Sequence, residues 1–102
     1  MSTIKVRAKV DGGETTVKAL MTHPMETGLR KGKDGKPIPA HFIQEVVAEH
    51  NGSTVMTAYW GTAVSKNPYI SFKFTGANKG DAIKISWKDN KGESDSVEDT
   101  IK

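Results

Sequence analysis

Three histidines, His23, His41 and His50, are the side chains of this sequence best suited to chemistry. Imidazole binds divalent metals and moves protons near neutral pH. His23 and His41 flank one irregular stretch, which would bring them near each other, while His50 abuts an Asn-Gly pair and is expected to face solvent. None of the three stands at the short spacing that sets two ligands side by side on one element. The chain has no cysteine. That removes disulfides, thiolate nucleophiles, Cys-bound clusters, and copper or iron centres completed by a thiolate. Most of the twelve carboxylates fall in turns or on outward strand positions, with Glu26, between Met25 and Thr27, the exception. No serine has the strand–turn–helix setting of a nucleophile elbow, and no glycine run resembles a phosphate loop. The residues therefore predict no catalytic group, no metal site and no cofactor: this is not an enzyme.

The elements around these residues read as strands. Ile4, Val6, Ala8 and Val10 alternate with Lys5, Arg7 and Lys9, the pattern of a half-buried strand, and Asp11-Gly12-Gly13 turns the chain. A second strand runs from about Thr15 to Thr22. Residues 23–42 form a long connection carrying Pro24, Pro37 and Pro39, each of which withholds a backbone donor and pushes its predecessor to extended geometry. Connections this long tend to be functional or disordered, and Met25, Ile38 and Phe42 at its margins favour function. Asn51-Gly52 is a two-residue hairpin turn. Pairing outward from it sets Ala48 opposite Val55, Val46 opposite Thr57 and Gln44 opposite Tyr59, with Val47 by Met56 and Ile43 by Trp60 on the other face. Both faces would then be partly apolar. Further strands follow at Tyr69 to Phe74, Ala82 to Lys88, and about Ser94 to Ile101. About seven short strands with turns between them and no amphipathic helix predict an all-β fold, an immunoglobulin-like antiparallel β-sandwich. The expected core includes Val6, Val17, Phe72, Ile83 and Ile85.

At 102 residues, 35% hydrophobic and 26% charged, the chain supports one globular domain over 1–102. No apolar run is long enough for a membrane span. The net charge is +3, and the densest basic stretch, Arg30 to Lys36, is Gly-rich and contains Asp34. It has no aromatic platform for bases beside it, so it reads as a solvated hairpin tip rather than a nucleic-acid site. The N-terminus shows no signal peptide.

Four stretches are distinctive: Lys18 to Gly28, including His-Pro-Met-Glu-Thr-Gly; Ile38 to Ile43; Trp60 to Tyr69, including Ala-Val-Ser-Lys-Asn-Pro; and Gly80-Asp81 followed by Trp87 to Gly92. Taken together they resemble the SoxZ family. The resemblance implies a cysteine-free subunit of a sulfur carrier in thiosulfate oxidation. Such a subunit pairs with a SoxY-like chain whose C-terminal cysteine arm carries sulfur covalently, and it helps present that arm to the other Sox enzymes. It further implies a periplasmic site, reached by co-export with a signal-bearing partner. No nucleic acid or membrane is expected as partner, and the isolated chain could self-associate.

In an immunoglobulin-like connectivity the loops around residues 23–28, 38–42 and 61–68 gather at one end of the sandwich. The expected partner-binding residues are His23, Pro24, Met25, Glu26, Ile38, Pro39, His41, Phe42, Trp60, Val64, Ser65, Lys66, Asn67 and Pro68, with Met25, Ile38 and Val64 supplying exposed apolar contacts. Two other readings compete. One is a small β-sandwich redox protein binding a metal through its histidines. The other is a sugar-binding module, whose exposed aromatics would be Tyr59, Trp60 and Tyr69.

Overall fold

Alternating sequence leaves each strand one apolar row to hide, and two sheets stacked face to face hide them all at once. The computed structural model describes residues 3–102. Its strands are β1 (Ile4–Asp11), β2 (Glu14–Met21), β3 (Ile43–His50), β4 (Ser53–Tyr59), β5 (Tyr69–Thr75), β6 (Ala82–Asp89) and β7 (Ser94–Thr100). A three-stranded sheet of order β1-β2-β5 packs on a four-stranded sheet of order β4-β3-β6-β7, every pairing antiparallel. This is the seven-strand sandwich expected.

The core lies between the sheets. Val17 and Ala19 of β2 face Val46 and Ala48 of β3 and Ile83, Ile85 and Trp87 of β6, with Ile101 closing one side. Each fully buried Val or Ile contributes about 1.5–3 kcal/mol of transfer free energy. Of the expected core, Val17, Ile83 and Ile85 are fully buried, whereas Val6 and Phe72 are only half-buried. Both belong to strands at the edges of the smaller sheet, where the opposing layer covers one side of a side chain and not the other.

One flank is stitched shut and the other is not. The Val10 amide donates to the Lys102 carbonyl at 2.9 Å, and the Lys102 amide donates to the Ala8 carbonyl at 3.0 Å. At the other end of that flank, Thr3 donates through its amide and its hydroxyl to Asp95, both at 2.7 Å, and accepts the Trp87 indole N–H at 3.1 Å. Among the described residues no ladder joins β4 to β5.

The hairpin turn is where expected, with Asn51 at φ 47° and Gly52 at φ 86°. The register is not. Ala48 pairs with Met56, Val46 with Ala58, Val47 with Thr57 and Glu45 with Tyr59, because a bulge between Ala48 and Glu49 shifts the ladder by one residue. A one-residue slip exchanges the faces of one strand. Met56 and Ala58 therefore pack against the core, and the outer face carries Glu45, Thr57 and Tyr59 beside Val47. It is less apolar than the unbulged register implied. His50 also departs from expectation: it is half-buried, with Nε2 2.7 Å from Asp81 Oδ2 and its ring 5.4 Å from that of Phe74.

Candidate partner-binding end

Strands β2 and β6 both finish at the same end of the sandwich, where β3 and β5 begin. What lies just beyond those termini sets the site. After Met21 the chain runs Thr22-His23-Pro24 and then reverses at Met25, whose φ is 49°. A non-glycine residue in this left-handed region is strained by about 1–2 kcal/mol. Two contacts hold it there, and the residue is only 5% exposed. The Met25 amide donates to His23 Nδ1 at 3.1 Å, and the Met25 thioether accepts the Ile43 amide at 3.3 Å.

His23 is itself buried, edge-on to His41 at 4.5 Å and to Trp87 at 5.1 Å between ring centroids. Both histidines point at Asp89, the last residue of β6. His23 Nε2 lies 3.0 Å, and His41 Nε2 2.7 Å, from the same carboxylate oxygen, Oδ2. The other oxygen, Oδ1, accepts the amides of Lys91 at 3.0 Å and Glu93 at 2.9 Å. Burial by itself would push this carboxyl up. The two imidazole donors and the two amides outweigh that and hold it at about 2. Asp89 is thus a buried anion with four donors, the condition under which such a charge is tolerated.

The loops are then locked to one another. The Asn67 amide donates to the His23 carbonyl at 3.0 Å, the His23 amide donates to Asn67 Oδ1 at 3.1 Å, and the Met21 amide donates to the Pro68 carbonyl at 2.9 Å. Glu26 and His41 form a two-way backbone bridge at 2.7 and 3.0 Å. Asn90 accepts the Phe42 amide at 2.8 Å and donates its own amide to Phe42 at 3.0 Å and its side chain to Ala40 at 2.8 Å. Beyond the bridge, Arg30 pairs with Glu26 and holds that carboxyl below its ordinary range. The exposed Lys31–Pro37 bridge ends in the turn at residues 32–36, the solvated tip expected.

The three loops do cluster at one end, but not all the expected residues are available there. His23, Met25 and Pro68 are buried and close the core instead. Glu26, Ile38, His41, Phe42, Trp60 and Val64 are half-buried, while Pro24, Pro39, Ser65, Lys66 and Asn67 are exposed. Met25 therefore supplies no exposed apolar contact; its positive φ turns it inward. The exposed large apolar residues are instead Leu29 at 87%, Tyr59 at 78%, Tyr69 at 58% and Leu20 at 42%; sequence reasoning named Tyr59 and Tyr69 only for the sugar-binding reading and left Leu20 and Leu29 unremarked. Leu20 and Tyr69 are cross-strand neighbours, and strand alternation around each already placed them outward.

His23, His41 and Asp89 offer three ligand atoms within 4.8 Å of one another. They escaped the spacing argument because they come from three separate segments. The hydrogen-bond pattern nonetheless assigns the cluster to structure. A His23 Nδ1 that accepts the Met25 amide leaves the ring proton on Nε2, where it is donated to Asp89, so the His23 lone pair does not face the cluster. Neither imidazole contacts a hydroxyl that could serve as nucleophile among the described residues.

No individual curated protein matches the chain. The family model described as "Sulphur oxidation protein SoxZ" matches residues 4–100, nearly the whole chain, and the strings that carry the sequence resemblance, Gly80-Asp81 apart, are those that build this end. The chain belongs to the SoxZ family.

Proposed function

We propose that this chain is the rigid, cysteine-free half of a two-chain sulfur carrier, seated by its loop end against a SoxY-like subunit whose cysteine arm carries sulfur. Family membership gives the chain a non-catalytic part in sulfur oxidation, alongside protein partners. The finer reading is supported by one observation above all. The four large apolar side chains most exposed among the described residues, Leu20, Leu29, Tyr59 and Tyr69, all lie at the end where residues 22–42, 60–68 and 90–93 gather. Exposed aromatic and aliphatic groups on a fixed backbone make a binding surface with little ordering cost. A partner without a thiol also cannot divert the cargo by disulfide exchange. We place the pair in the periplasm, brought there by the export signal of the carrier subunit.

The double variant Leu29→Asp/Tyr59→Asp tests the interface. Both side chains are mostly solvent-facing, so the circular dichroism spectrum should be unchanged. Mixed with the cysteine-bearing subunit, the variant should elute as a monomer on size exclusion where the parent elutes as a heterodimer. A folded variant that still pairs normally would put the interface elsewhere.

A further inference from the structure

The outward positions of β1, β2 and β5 fall into four cross-strand rows: Lys5–Leu20–Tyr69, Arg7–Lys18–Ser71, Lys9–Thr16–Lys73 and, at the turn, Asp11–Glu14–Thr75. The first three rows hold five cations and no carboxylate, and the fourth holds the two acids of the face. The chain has fifteen Lys and Arg against twelve Asp and Glu. Taking away this face, with its five cations and two acids, leaves ten cations against ten acids, so the whole net positive charge of the protein resides on one sheet face. Lys73 reaches Glu14 at 3.3 Å. Among the described residues no ion pair within the chain reaches Lys5, Arg7, Lys9 or Lys18.

Two features argue that the arrangement serves binding. Arg7 and Lys18 are directly paired in register, and like charges directly opposite weaken a sheet. The face tolerates that cost with no ion pair to Arg7 or Lys18 among the described residues, although Asp11 and Asp99 line the same hollow. The cations also stand on paired strands, at fixed spacing, unlike those of the Arg30 to Lys36 tip, which sit on a turn.

We infer that this face docks an acidic patch on the surface of another protein. Its extent selects the class of partner. Lys5 to Lys9 spans about 13 Å along the strand. Beyond it lie Asp11 and Glu14, paired at the turn, while Asp99 joins Lys102, Arg7 and Lys9 around the adjoining hollow. A nucleic-acid backbone, with a phosphate about every 3.4 Å along each strand, would run onto these acids. A short acidic patch fits between them. Charge complementarity of this kind orients and accelerates encounter. The row of Leu20 and Tyr69 adjoins the loop end proposed above to hold the carrier subunit, whereas the rows of Arg7 and Lys9 lie farther along the strands, and the test uses this chain alone.

The isotope-labelled full chain is titrated by NMR with a synthetic Asp/Glu-rich peptide at low ionic strength. A DNA duplex and phosphatidylserine vesicles are titrated in parallel. The peptide should give saturable amide shifts confined to β1, β2 and β5 and abolished by high salt. Lys5→Glu/Arg7→Glu/Lys18→Glu should weaken binding at least about tenfold. If that variant fails to fold, Arg7→Gln/Lys18→Gln, which removes only the opposed pair, should still weaken it several-fold. Shifts centred on the Arg30 to Lys36 tip, undiminished binding by a folded charge variant, or a duplex or vesicles saturating at lower concentration would each overturn the inference.

Discussion

Each end of the sandwich carries a histidine–aspartate contact, and the two are built differently. At the turn end, His50 Nε2 meets Asp81 Oδ2 at 2.7 Å, and both side chains stay partly exposed. At the loop end, His23 and His41 share one oxygen of Asp89, which is buried and whose other oxygen is taken by two amides. The connections differ in the same sense. The turn end is closed by Gly12-Gly13, by Asn51-Gly52, and by residues 76–81. The loop end must organise residues 22–42 and 60–68, which have almost no ladder of their own. The difference teaches what the buried carboxylate is for: a short turn specifies its own path, whereas a long one needs an anchor that several segments share.

Removing that anchor should give the largest effect of any single change at either end. Asp89→Ala leaves the buried His23 imidazole and two amides unpaired and leaves His41 with Glu93 alone, and should cost about 3–5 kcal/mol in urea unfolding. Asp89→Asn is less severe but does not restore the parent. One amide oxygen cannot serve both the histidines and the Lys91 and Glu93 amides, and its NH₂ would face donors on one side. Asp81→Ala, with its partner able to turn to water, should shift the midpoint far less. Equal shifts for Asp81 and Asp89 would break the comparison.

Acid sharpens the same contrast. The Asp89 carboxyl is held at about 2, below its ordinary value of 3.8. Because the unfolded chain takes up the proton first, its contribution is complete above about pH 5 and is lost as pH falls toward 2. The Asp81 carboxyl is lowered as well, by the hydrogen bond from His50 and the Asn78 amide, and Asp95 by Thr3. Stability should therefore fall through this acid range in the parent. The slope should flatten markedly in Asp89→Asn and only slightly in Asp81→Asn, read from urea midpoints at a series of pH values. A parent whose midpoint is level from pH 5 to about 2 would contradict the assigned environment of Asp89.

Much of this molecule is legible in its sequence because strand alternation is a local signal. The Lys5–Arg7–Lys9 face, the Asn51-Gly52 turn and the limits of all seven strands could be read within a few residues. The bulge at Ala48/Glu49 could not. It changes no residue type and is set by how β3 lies between β4 and β6, so the unbulged pairing put Met56 on the wrong face. Asp89 was legible only in part. Asp89-Asn90-Lys91-Gly92 reads as a turn, and Oδ1 does make the turn's hydrogen bonds. That Oδ2 gathers imidazoles 66 and 48 residues away is a tertiary fact. Met25 shows the same limit, since nothing local announces a buried methionine with positive φ.

The smallest effect is expected at the turn end, and with the opposite sign. Thr15 sits on the inner face of β2, one residue into the strand, fully buried. Among the described residues its hydroxyl is the buried side-chain polar group without a hydrogen-bond partner. Valine has the same branched shape and suits the strand at least as well. Thr15→Val removes an unsatisfied buried hydroxyl without opening a cavity, and should raise stability by about 1 kcal/mol. At the loop end every polar atom of the buried Asp89 carboxylate is engaged, so trimming polarity there destabilises; at the turn end trimming it should stabilise. Urea unfolding of Thr15→Val beside Asp89→Asn tests both signs in one measurement. A loss of stability in Thr15→Val would mean that the hydroxyl is satisfied after all, by a water held between the sheets, and the contrast between the two ends would then narrow to the histidine–aspartate contacts alone.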